Sequence, residues 1–187
     1  MPTSDLVRWG ALFTMLGGVL FLGEGAVVLV SAAMNLVSPQ AVEVLFGLTW
    51  LLVAGGMAGF HAFQKEAYGL FGRIAFYAVV ALLVVESLSL TSSFAGSDAL
   101  WWLAVYVGPL ALIAGFALYG IATLQARRLP RWCGLAFIVA TPGAVLFGLV
   151  LSNLEASFIW LGLVWLILGY ALWSRRRLPI GRPSRGG

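Results

Sequence analysis

Charge is what this chain has least of. Only 10% of its 187 residues are Asp, Glu, Lys or Arg, and 61% are hydrophobic. A soluble domain carries about 25% charged residues. The mean hydropathy of +1.00 points the same way. The composition excludes a sizeable soluble domain, and residues 1–187 read as one integral membrane domain. Cysteine occurs once, at Cys133, which rules out an internal disulfide and a cysteine-rich metal site. Histidine also occurs once, at His61, so a bis-histidine haem is excluded and no CxxCH attachment sequence exists. The single lysine, Lys65, lies outside the apolar runs, which removes a retinal Schiff base. There is no Walker loop, HExxH, GxSxG or carboxylate-rich metal cluster. No cofactor and no metal site is expected, and the spread of Lys and Arg offers no nucleic-acid surface.

What the chain has in abundance is long apolar sequence. Six segments are readable, at about 9–34, 41–63, 70–93, 99–124, 132–151 and 156–174. Each approaches the ~20 residues that a helix needs to cross ~30 Å of hydrocarbon. The first, from Trp9 to Met34, is longer than the ~7–15-residue core of a signal peptide and is interrupted by Glu24, so a retained helix is expected. The breaks are short, which makes neighbouring helices antiparallel. With that alternation, all eleven basic residues fall on one side: Arg8, Lys65, Arg73, Arg127, Arg128, Arg131 and the five between Arg175 and Arg185. Glu43, Asp98 and Glu155 fall on the other. Positive loops stay in the cytoplasm. The expectation is therefore an all-α polytopic bundle of six helices in a cytoplasmic (inner) membrane, with both termini inside. Trp9, Trp132 and Trp173 at one boundary and Trp101 and Trp102 at the other fit interfacial belts. The basic stretch 175–187 reads as a flexible cytoplasmic tail that touches anionic lipid.

Within the first segment, Gly10, Gly17, Glu24 and Ser31 recur every seven residues and share one slowly drifting stripe, with Thr14 on the same side. Small residues face protein in a membrane while large apolar ones meet lipid, so Glu24 is expected to point into the bundle. Gly72, Val79, Glu86 and Ser93 repeat the pattern 62 residues later, and Gly134, Thr141, Gly148 and Glu155 repeat it again. Gly47, Gly59 and Gln64 have counterparts in Gly108, Gly120 and Gln125. These spacings predict three helical hairpins in the same orientation, an arrangement some carriers show. No motif supports a family name.

Glu24 and Glu86 are the leading candidates for chemistry, both expected at similar depth in the outer half. An ionised acid at a helix centre costs on the order of 2.5–3.5 kcal/mol or more. The options are protonation, burial among hydroxyl donors, or a water-filled cavity. Thr14, Ser31, Ser87, Ser89 and Ser93 are the donors in range, and two facing carboxylates can share one proton. The binding set read from the chain is thus Glu24, Glu86, Ser89, Ser93 and Thr14. Gly108-Pro109 and Pro142-Gly143 are expected to break the fourth and fifth helices near mid-membrane, either as packing kinks or by freeing carbonyls toward a cavity. His61 reads as an interfacial anchor and Cys133 as a packed thiol.

Three functions follow as expectations. The first is a carrier or channel for a small solute, cation or proton, built on the carboxylates. The second is a non-catalytic scaffold or accessory subunit that binds lipid or partner helices, in an oligomer or with another subunit. The third, and weakest, is a lipid-modifying enzyme, because nothing resembles a nucleophile or metal set; no residue is assigned a catalytic role.

Overall fold

The computed structural model describes residues 3–34, 39–92, 98–102, 106–152 and 157–175. Seven helices account for nearly all of them: α1 (Thr3–Met34), α2 (Pro39–Gln64), α3 (Gly69–Ser92), α4 (Asp98–Trp102), α5 (Gly108–Ala126), α6 (Arg131–Val150) and α7 (Ser157–Arg175). All but α4 are long and apolar enough to cross a membrane. Helices suit lipid because each satisfies its own backbone hydrogen bonds. The surface follows the same logic: Leu70 is 74% exposed and Val150 81%, an outward apolar face that water would disfavour and lipid accepts.

The helices form a closed ring. Each of the six long ones packs against its neighbours in the chain, and α7 closes the circle on α1. Glycine makes these seams tight. A Cβ on Gly10 would lie 2.4 Å from the Gly59 Cα, so α1 and α2 touch backbone to backbone there. Further along that seam Gly17 meets Val53. One residue on in each heptad, Gly18 packs on Gly162 and Leu166 of α7, and Gly25 on Ile159. Gly120 of α5 packs on Gly134 and Ile138 of α6. The Gly10–Gly59 contact has no copy at the equivalent glycines of the second hairpin: Gly72 lies against the Tyr68 side chain, and Gly120 has turned to α6.

The ring's centre is filled by side chains. Phe60, Phe116, Tyr119, Phe137 and Trp165 are all fully buried, and their rings meet edge-on, tilted or stacked at centroid separations of 5.1–6.4 Å. Met57, Leu168 and Leu172 close the gaps.

The fourth apolar segment, read over 99–124 with a break at Gly108-Pro109, contains two helices among its described residues, and 103–105 lie outside them. Short α4 ends at Trp102, residues 106–107 are π-helical, and α5 begins only at Gly108. Pro109 therefore sits in the first turn of α5, where its missing N–H is no loss, and does not kink a continuous helix. Pro142 lies inside α6, which runs through it from Arg131 to Val150. Its surroundings are packed. The Trp160 indole N–H donates to the Ala140 carbonyl at 3.0 Å and the ring rests on Gly143. Arg127, in the left-handed conformation (φ 53°), caps α5 ahead of Pro130. Antiparallel packing brings Arg8, Lys65, Arg73, Arg127, Arg128, Arg131 and Arg175 to one end of the ring, and Arg128 reaches Glu66 at 3.7 Å across it.

Candidate functional site

Glu24 is buried, as the stripe implied, and belongs to the α1–α2 seam. Its Oε1 accepts a hydrogen bond of 2.5 Å from Thr49 Oγ1, while Oε2 is buried without a partner. The same Thr49 hydroxyl lies 3.0 Å from the Leu45 carbonyl. One hydroxyl proton faces two acceptors, so they compete for it unless the carboxyl brings a proton of its own. Phe21, one turn before Glu24, and Trp50, next to Thr49 in the chain, are buried and in edge-to-face contact at 4.9 Å. Thr49 was absent from the sequence-derived set; its signal would have been its place in α2 opposite Glu24 once the Gly10–Gly59 contact fixes the register.

Thr14 is buried elsewhere. Its hydroxyl donates to the Gly10 carbonyl at 2.8 Å and its side chain fills the space over Gly56. Ten residues separate it from Glu24, about 15 Å of helix rise.

Glu86 sits in a different seam, between α3 and α5. It is only 7% exposed and has no hydrogen-bond partner among the described residues. A Cβ on Gly108 would fall on its carboxyl oxygen, so the acid occupies the room that this glycine leaves at the start of α5. With Leu82, Val85, Val107, Gly108 and Ala111 it lines a cavity of about 140 Å³. Val85 and Val107 are about half exposed on the ring's outer surface, so this cavity opens sideways, toward lipid. Ser89 is buried one turn further along the same face of α3. Ser87, also buried, donates to the Gly47 carbonyl at 2.7 Å and ties α3 to α2. Ser93 lies outside the described residues.

The two carboxylates therefore do not face each other. α1 and α3 are not packing neighbours, and each acid is held by a different partner helix.

A second cavity, of about 380 Å³, opens at the basic end between α2 and α3, lined by His61, Lys65, Glu66, Arg73 and Tyr77. A polar chain leads to it from the core. Gln64 Nε2 donates to the Tyr119 hydroxyl at 3.3 Å and to Thr123 Oγ1 at 3.4 Å. Tyr119 packs edge-on against the Tyr68 ring, whose hydroxyl pairs with His61 Nδ1. The His61 ring stacks on Phe76 at 4.1 Å. Burial pushes the Tyr68 phenol up to about 12, so it keeps its proton. Sequence reading reached His61 but not Tyr68 or Tyr119, whose apolar flanks give no sign of a shared network.

Cys133 is a buried free thiol. Among the described residues no three His, Cys, Asp or Glu side chains converge on a point where a metal ion could sit. No family model, no curated protein and no solved structure matches the chain.

Proposed function

We propose that the chain is a non-catalytic membrane module, a scaffold or accessory subunit that binds lipid or a partner helix. The observation that carries this reading is the ring's centre, where Phe60, Phe116, Tyr119, Phe137 and Trp165 fill the position a solute path would need. The separation of Glu24 from Glu86 supports it too, since a carrier built on the pair wants them in one cavity. Glu24 and Thr49 then act as interhelical glue. A carrier is favoured by one specific observation, the unpartnered Glu86 carboxyl at a lateral cavity. That site admits a proton or a small lipophilic cation from the bilayer side. Flux into liposomes separates the two readings. The scaffold predicts no pH-dependent proton or cation uptake by the wild type; uptake that disappears in Glu86→Gln, with fold and expression intact, would establish the carrier.

The orientation belongs to this proposal. Both termini are cytoplasmic, in a bacterial-type inner membrane, because the basic residues gather at one end and positive segments stay inside. A reporter fused after Gly187 behaves as intracellular; periplasmic activity there overturns the orientation. The three-hairpin repeat is proposed as well, on sequence spacing alone.

A further inference from the structure

The cavity at the basic end has a composition that the rest of the bundle does not. Lys65 and Arg73 line it, and neither forms an ion pair with any described residue. The one acid present, Glu66, is 75% exposed and lies 3.7 Å from the Arg128 guanidinium, which holds it toward the α5–α6 connection. Two cations thus face the space with their charge uncompensated by a carboxylate of their own.

His61 adds an oriented imidazole. Gln64 Nε2 has only protons to give, so the Tyr119 oxygen accepts from it. The Tyr68 hydroxyl pairs with His61 Nδ1 and holds the ring at the lining of the cavity. Stacking on Phe76 fixes the plane of the ring. Nε2 has no protein partner among the described residues. Tyr77, 64% exposed, supplies a further hydroxyl at the rim.

An ammonium, a guanidinium fork, an imidazole and a phenol around one opening match an acceptor with several oxygens and negative charge. The opening lies where two membrane-crossing helices reach their polar connection, the depth at which phospholipid phosphates lie. We infer that the cavity between α2 and α3, lined by His61, Lys65, Arg73 and Tyr77, is a binding site for a phosphate group. The inference goes beyond the scaffold reading and does not depend on it, since a carrier could hold the same site.

The test uses the fact that the chain has a single histidine. The full chain, purified without a histidine tag and labelled with ¹⁵N-histidine, is placed in nanodiscs of neutral phosphatidylcholine. Its imidazole signals come from His61 alone. In one arm phosphatidic acid is added to the bilayer; in the other, inorganic phosphate is titrated into the buffer of neutral nanodiscs. A saturable shift of the Nε2 resonance in the first arm only identifies a lipid headgroup site. A shift in both arms identifies a site for soluble phosphate groups as well. The double variant Lys65→Gln/Arg73→Gln weakens binding roughly thirtyfold, from two lost cations at a membrane surface. Both side chains are exposed, so the fold is kept, and unchanged Nδ1 signals verify it. Arg8→Gln, at the same end but on α1, leaves the shift intact. No saturable shift in either arm, or equal weakening by Arg8→Gln, overturns the inference.

Discussion

Replacing Gly10 with alanine tests the packing at its tightest described backbone-to-backbone contact. The added Cβ would stand 2.4 Å from Gly59 Cα, 2.7 Å from Gly59 N and 3.1 Å from the Gly56 carbonyl oxygen. Non-bonded carbons rest at about 3.5–4.0 Å. All three atoms are backbone, so no side chain can rotate away, and α1 and α2 must separate by about 1 Å. That separation also loosens Thr14 over Gly56, Gly17 against Val53 and the Thr49–Glu24 hydrogen bond along the same seam. Overpacking of this kind costs about 1–3 kcal/mol. Alanine recovers roughly 0.5–1 kcal/mol through its better helix propensity. The net effect expected is a loss of about 1 kcal/mol, rising to about 2.5 if the seam opens along its length. Gly23 is the internal control, because nothing lies within 4 Å of its added Cβ. Gly23→Ala keeps only the propensity gain, so the two substitutions differ in sign. Reversible unfolding in mixed micelles, followed by tryptophan fluorescence and helix signal, reads the difference. Gly10→Ala as stable as Gly23→Ala would refute the backbone contact and the α1–α2 register built on it.

The other predictions concern polar groups. In a double-mutant cycle with Glu24→Leu and Thr49→Val, the coupling energy should be about 0.6–1.7 kcal/mol, the range of interhelical bonds in membranes. Glu24→Gln should be nearly silent, since an amide both donates and accepts; coupling indistinguishable from zero would mean that the bond is not made. Tyr68, held near 12 against a usual 10, contributes stability that is complete below pH 10. It is lost as pH rises toward 12, because only the unfolded chain ionises over that window. Tyr68→Phe should flatten the alkaline unfolding curve between those limits, and an unchanged curve would count against a buried, neutral phenol.

The helices were legible because their signal is bulk composition: six long apolar segments carry it, and their ends fell within a few residues in most cases. The first was read late, since Thr3 to Arg8 is polar sequence that continues the helix past the apolar run. In the fourth, hydrophobicity does not fall at Val107, while the backbone passes from π-helical at 106–107 to α5 at Gly108. Glu24 and Thr14 were correctly placed inward by the Gly10–Gly17 stripe. The same helix carries a second stripe, Ala11, Gly18 and Gly25, which heptad counting from Gly10 passed over. That stripe makes the α1–α7 seam and closes the ring.

The pairing of Glu24 with Glu86 shows why such counting stops short of a site. A shared spacing says that two residues lie at similar depth on small-residue faces; it does not say which neighbour each face meets. In a ring each helix has two seams, and α1 and α3 are separated by α2. Glu24 uses the α1–α2 seam and finds Thr49; Glu86 uses the α3–α5 seam and finds Gly108. Two positions of one spacing can both be buried and still never meet, because each faces the seam of a different helix pair. The difference in partners then becomes a difference in chemistry. Glu24 has a hydroxyl partner and is buried, which suits structural glue. Glu86 has a glycine instead of a donor and a cavity instead of packing, so it is the acid left free to meet something from outside the protein.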